Sequence, residues 1–122
     1  MTIRITGVGS YIPEIIVKNK DFGEHQFLDS DGTTLHHANE IIIDKFKDIT
    51  GIVERRYATP DLCASDLGFF AAQKAIQNAA IDPETLDYII VAQNFGDVKP
   101  KTTQSDMLPS LATRIKHKLK II

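Results

Sequence analysis

Cys63 is the only cysteine among 122 residues, and its thiol is the side chain best suited to nucleophilic chemistry. It stands at the head of an alanine-rich run, where a helix N-terminus would lower a thiol pKa. Activation also takes a positioned base, and no histidine lies near it in sequence. A cysteine without such a base usually packs as a small apolar group. His25, His36, His37 and His117, with Asp29 and Asp31, carry metal-ligand chemistry. The adjacent histidines point apart on most backbones. Asp29-Ser30-Asp31-Gly32 lacks the ligand series and closing glutamate of a calcium loop, so these residues read as polar loop and no metal is expected. Gly7-Val8-Gly9 lacks the third glycine and the following helix of a dinucleotide loop, and reads as a tight strand exit. Asp66 and Asp97 have no acidic neighbour at a spacing that suits a two-carboxylate hydrolase. No catalytic residue, cofactor site or metal site is therefore assigned within residues 1–122.

The elements that would position such groups can be read from periodicity. Ile3, Ile5 and Val8 suggest a short buried strand, and Pro13 favours an extended exit. Residues 14–34 are polar and turn-rich, and read as loop with one helical turn. Asn39 is a helix cap candidate, followed by apolar Ile42, Ile43, Phe46 and Ile49, with Gly51 as the stop. Val53 to Tyr57 reads as extended, and Pro60-Asp61 as a turn. The strongest helix runs from Cys63 to Ala80, with alanines that permit close packing. Asp82-Pro83-Glu84 begins a further turn or two, with a capping aspartate and proline at the first helical position. Tyr88 to Ala92 is a continuous apolar run, the pattern of a fully buried parallel strand. Residues 93–106 form a long polar loop. A last helix covers Leu108 to Leu119, and Lys120-Ile121-Ile122 reads as the start of a third strand. Strand, helix, strand, loop, helix is a βαβ order, so the fold class is α/β with parallel strands and packed helices. Two strands are too few for a stable sheet, so something further is expected to complete the core.

Composition narrows the partners. Hydrophobic residues at 43% and charged residues at 25% exclude a disordered or fibrous class. A net charge of -2 offers no attraction to nucleic acid or an anionic membrane. No stretch reaches the roughly 20 apolar residues of a membrane span. A lone cysteine, which cannot form an internal disulfide, fits a cytoplasmic protein. Arg114 to Lys120 is a local basic run. It reads as the wet face of a terminal helix, or as a docking patch for an acidic carrier protein.

Five segments in order carry a family resemblance. They are Ile5-Thr6-Gly7-Val8-Gly9-Ser10-Tyr11-Ile12-Pro13-Glu14, Thr50-Gly51-Ile52-Val53-Glu54-Arg55-Arg56, Asp66 to Ile76, Ile81-Asp82-Pro83 with Leu86 to Ala92, and Pro109-Ser110-Leu111-Ala112. Together they resemble the N-terminal portion of the β-ketoacyl-acyl-carrier-protein synthase III group of the thiolase superfamily. The resemblance implies a thiolase-like fold of two related halves, of which residues 1–122 would be an incomplete N-terminal half. It implies decarboxylative condensation of an acyl thioester with malonyl-acyl carrier protein by a homodimer. It also implies a cysteine, a histidine and an asparagine that all lie beyond Ile122. Cys63 falls where the family often has serine or threonine, so the residues given are expected to be inactive alone and to self-associate.

The resemblance further implies two substrate-binding positions, Thr50 and Leu108. Acetyl-CoA-primed members place a tryptophan and an arginine before the Thr-Gly motif to clamp the adenine end of CoA. The corresponding positions here are Lys45 and Ile49, and Thr50 alone matches the next contact residue. Leu108 stands where the family has a residue reaching the partner subunit's acyl pocket. Residues 27–39 and 95–107 are longer than in the common fatty-acid enzymes, which suggests a specialised branch such as those making aryl-polyene or resorcinol-like lipids. The competing reading is a non-catalytic module that keeps the scaffold and binds an acyl carrier or partner chain.

Overall fold

The computed structural model describes residues 2–99 and 101–122. The chain divides into two compact units, Glu14–Tyr57 and Met1–Pro13 with Ala58–Ile122.

In the unit Glu14–Tyr57, strand β1 (Ile15–Lys18) leads into a 3-10 turn, Asn19–Phe22, and a polar loop. Helix α1 (Asn39–Thr50) and strand β2 (Glu54–Tyr57) follow. β1 pairs antiparallel with β2, Ile15 opposite Tyr57 and Lys18 opposite Glu54. The loop reading of residues 14–34 therefore missed a strand, whose signal is the β-branched run Ile15-Ile16-Val17. The single helical turn in that stretch is the 3-10 turn. Helix α1 starts and stops where its apolar period begins and ends. Gly51 adopts φ 67°, and its N–H donates to the Lys47 carbonyl at 2.8 Å. That left-handed stop suits glycine.

Two details of α1 differ from the sequence reading. Ala38, not Asn39, occupies the cap position. The Asn39 amide instead donates to the carbonyls of Gly23 at 2.6 Å and His25 at 2.8 Å, tying the preceding loop to the helix. Ile42 is buried, whereas Ile49 is 74% exposed. The apolar period is longer than the face that the unit covers. Phe27 meets Phe46 edge-on at 5.8 Å, and the Arg55 guanidinium lies 5.1 Å over the Phe22 ring.

The other unit is built on helix α2 (Ala64–Ala79). Ala71, Ala75 and Ala79 are spaced by four residues and form a stripe without bulk. The N-terminal segment lies directly on that stripe. A Cβ on Gly7 would fall 2.6 Å from the Ala75 carbonyl oxygen and 2.7 Å from the Ala79 Cβ. A Cβ on Gly9 would overlap the backbone of Ala71, Lys74 and Ala75. Gly7 and Gly9 therefore serve close approach to a helix; the strand exit expected there is not formed, since residues 3–9 carry no regular strand. Asn78 accepts the Val8 N–H at 3.1 Å, and Tyr11 stacks on Phe70 at 4.8 Å. A 3-10 turn, Pro83–Thr85, follows with Asp82 as its cap. A hairpin comes next, β3 (Asp97–Val98) against β4 (Ser105–Asp106), antiparallel, inside the stretch read as loop. Helix α3 (Leu111–Lys118) closes the unit, capped by Ser110, which accepts the Thr113 N–H at 3.2 Å. Leu111 and Ile115 are buried, and a Cβ on Gly68 would lie 2.6 Å from the Ile115 Cδ1.

The expected parallel strands are not formed: both sheets of the described residues are antiparallel. Neither 3–9 nor 88–92 carries a regular strand or a backbone ladder. The 88–92 run also departs from full burial. Ile89 and Val91 are half-buried, while Tyr88 and Ile90 are 84% and 91% exposed. That is the period-2 alternation of a strand with one face covered. Its sequence is apolar on both faces, which is why it reads as buried. The other face has nothing against it here. Ile121 and Ile122 likewise form no strand; the Ile122 N–H donates to Glu84 at 3.0 Å.

Gly9→Ala should lower stability by about 1–3 kcal/mol, because backbone rather than a flexible side chain must give way. An unchanged denaturant midpoint would show that this contact with α2 does not form.

Candidate functional site

The N-terminus of α2 presents amides with no helical partner. Two carboxylates meet it. Asp66, in the first turn, accepts the Cys63 N–H at 2.8 Å. Asp97, on β3, accepts the Ser65 N–H and the Ser65 hydroxyl, both at 2.8 Å. Ser65 and Asp97 are both buried, at 2% and 4% exposure. A buried carboxylate is stable when paired and hydrogen-bonded, and the helix dipole favours its charge.

Helix α3 supplies the opposite charges. Arg114 and Lys118 are one turn apart, beside the buried Leu111 and Ile115. Arg114 Nη1 lies 3.5 Å from Asp97 Oδ2, and Nη2 lies 2.9 Å from Asp106 Oδ2. Lys118 Nζ lies 2.7 Å from Asp66 Oδ1. So the face that packs α3 on α2 also joins two ion pairs at the helix start. Two of the five basic side chains of the run Arg114 to Lys120 are thereby used inside the unit. Lys116, His117 and Lys120 remain exposed.

Ser65, Asp66, Asp97, Arg114 and Lys118 line a cavity of about 600 Å³ together with Cys63, Lys99, Pro109, Thr113 and His117. Sequence reasoning found no use for Asp66 and Asp97, because 31 positions separate them and their partners lie on other elements. The capping distance from Cys63 to Asp66 was a readable signal; the approach of Asp97 was not.

Cys63 does not gain nucleophilic character here. Burial pushes its thiol up from the ordinary range, and the nearby Asp97 and Asp66 carboxylates push the same way. The helix N-terminus would act in the opposite sense, but carboxylates already occupy it. The thiol contacts the Val98 carbonyl at 3.8 Å. Asp66 shows the reverse balance. Burial alone would raise its carboxyl, but the hydrogen bonds from Lys118 and the Cys63 amide, with the Lys118 charge, hold it below the usual value.

The metal-ligand candidates form no such site among the described residues. Asp31 instead closes a tight turn, accepting the Thr33 N–H at 2.9 Å and hydroxyl at 2.7 Å, which lowers its carboxyl. Gly32 in that turn has φ 82°.

No protein-family model matches the chain. Curated relatives do. The β-ketoacyl-acyl-carrier-protein synthase III of Staphylococcus aureus strain Newman is 42% identical over 108 residues, which is 88% of this chain and 30% of that relative. The proteins of that name from strains JH1 and Mu3 match to the same extent. The chain is a homologue of β-ketoacyl-acyl-carrier-protein synthase III. It spans 30% of the length of these relatives.

The two positions drawn from the synthase III resemblance lie in different units. Thr50 ends α1; its hydroxyl donates to the Phe46 carbonyl at 2.6 Å and accepts the Ile52 N–H at 3.2 Å. Lys45, Ile49 and Thr50 are all exposed. Leu108 lies between β4 and α3, and is 82% exposed.

Asp97→Ala should cost about 1–3 kcal/mol, since it leaves the buried Ser65 N–H and hydroxyl without their acceptor. Asp97→Asn should cost less, because the amide oxygen still accepts. Equal, small losses would show that the pair contributes little. For Cys63, alkylation by iodoacetamide should reach half its maximal rate above the ordinary thiol pKa of about 8.5, and return to that value in urea. The sign for stability follows. The neutral thiol favours the folded state fully below the unfolded pKa, and that contribution is lost as pH rises through the folded one. A midpoint below the ordinary value would mean an activated thiol.

Proposed function

We propose that these residues are the opening portion of a thiolase-like condensing enzyme, which joins an acyl thioester to malonyl-acyl carrier protein with loss of carbon dioxide. The observation that carries this reading is the 42% identity over 108 residues to enzymes named β-ketoacyl-acyl-carrier-protein synthase III. The uncovered apolar faces support it. Ile3, Ile5, Tyr88 and Ile90 are each more than four-fifths exposed. Burying a side chain of this kind is worth about 2 kcal/mol. In this reading further strands of the same scaffold cover those faces, and a second copy forms a homodimer in the cytoplasm.

In the condensing step a cysteine takes the acyl group from its thioester and releases the donor thiol. Loss of carbon dioxide from the malonyl unit leaves an enolate, which attacks the acyl-cysteine and frees the thiol again. The reading places that cysteine, and the histidine and asparagine that stabilise the enolate and oxyanion, outside residues 1–122. The raised thiol of Cys63 agrees with its having no part in the exchange. Thr50 is assigned to the donor thioester and Leu108 to the acyl pocket. The absence of an aromatic residue and an arginine at Lys45 and Ile49 points to a donor other than ordinary CoA.

The intact mass of the protein isolated from its natural source tests this reading first. A mass well above 13.6 kDa, with malonyl-dependent formation of a 3-oxoacyl product that survives Cys63→Ser, is the expected result. A natural mass of 13.6 kDa with carrier binding and no condensation would point to the non-catalytic module. Condensation by the 122-residue chain alone, lost in Cys63→Ser, would overturn the assignment of roles.

A further inference from the structure

The guanidinium of Arg114 holds more of the chain than any other side chain described here. Its Nε donates to the Pro109 carbonyl at 2.8 Å, and its Nη2 donates to the Leu108 carbonyl at 2.9 Å. The same fork reaches Asp97 on β3 and Asp106 on β4, at 3.5 and 2.9 Å. Both arms of the hairpin and the two residues leading into α3 thus converge on one planar group. Arg114 itself is fixed: its side chain is 20% exposed, and it stands between the buried Leu111 and Ile115.

Leu108 is the opposite case. Its side chain projects into solvent, 82% exposed, and packing does not hold it. The position of its backbone is set by its carbonyl, by the following Pro109, and hence by Arg114. A fork that satisfies two carbonyls and two carboxylates at once is a geometric clamp. Lysine offers a point charge and cannot reproduce it.

We propose that Arg114 is a positioning residue for Leu108 and thereby sets which acyl chains the enzyme accepts. The inference rests on the condensing-enzyme reading and on the place of Leu108 at the acyl pocket. A residue at a pocket wall discriminates by where it stands, and small displacements of such groups change rates by orders of magnitude. Arg114 touches no substrate in this scheme. It acts through the backbone of residues 108 and 109.

Two measurements test it. In the 122-residue chain, the Leu108 amide and methyl groups are followed by NMR in Arg114→Lys and Arg114→Gln. The expected result is a lower order parameter at 108 and across 97–106, with α2 resonances in place. If both variants unfold, Asp106→Asn loosens the fork from its more exposed end and gives the same readout. An unchanged Leu108 signal in a folded variant overturns the proposal without any activity assay.

The second measurement uses the natural longer protein and compares kcat/KM for short and long acyl donors. Arg114→Lys should shift that ratio by about tenfold, in the same direction as Leu108→Ala, and the double variant should add little. A merely structural role would lower all donors alike. If Leu108→Ala changes the ratio and Arg114→Lys does not, this inference fails and the condensing-enzyme reading stands. If an active enzyme ignores both changes, the role of Leu108 falls together with that of Arg114. If no condensation occurs at all, the underlying reading fails and carries the inference with it.

Discussion

The larger unit depends on how bare the surface of α2 is. Alanine at 71, 75 and 79 lets glycines 7 and 9 approach the helix backbone itself, and glycine at 68 lets Ile115 do the same from α3. A side chain of any size at these positions would push the layers apart. Close approach then puts the start of α2 within reach of other elements. Asp97 can cap it from the hairpin, and Arg114 and Lys118 can neutralise the two carboxylates from α3. The small residues and the ionic cluster are therefore one device. The first sets the separation, and the second uses it.

The same geometry explains the raised thiol of Cys63. A helix N-terminus is an anion site, and two carboxylates already fill this one. A thiolate there would be a third negative charge, in a place that burial already disfavours. The position offers the right residue type for nucleophilic chemistry and the wrong field. The polar cluster reads instead as an anchor for the hairpin and for the chain leading to Leu108.

Much of this was legible in the sequence, and the exceptions have physical causes. The ordered motifs implied the synthase III relationship that the curated relatives show. Helix α2 was legible because its apolar and alanine periods agree over sixteen residues. Gly51 and Asp82-Pro83 marked their stops and caps because each has one backbone role. The β1–β2 pair was not legible. Its strands are four residues long, and 35 residues lie between Lys18 and Glu54. The hairpin at 97–106 was hidden for a similar reason, since two-residue strands carry no period. Asp97 was read as a loop acid because its partners, Ser65 and Arg114, are distant in sequence. The runs 3–9 and 88–92 read as strands from composition, and the structure forms no regular strand on either. Composition does not supply the neighbouring strand, however, and no backbone ladder forms on either among the described residues.

The proposed condensing-enzyme reading requires these two runs to become sheet strands once neighbouring strands of the same scaffold are present. Amide hydrogen exchange across residues 3–9 and 88–92 tests it most directly, comparing the 122-residue chain, diluted to the monomer, with the longer protein that the proposed reading calls for. The account predicts exchange within seconds in the short chain, apart from the Val8 amide held by Asn78, and strong protection in the longer one. Strong protection of both runs in the isolated monomer would contradict it, because the ladder would then be complete without any further chain.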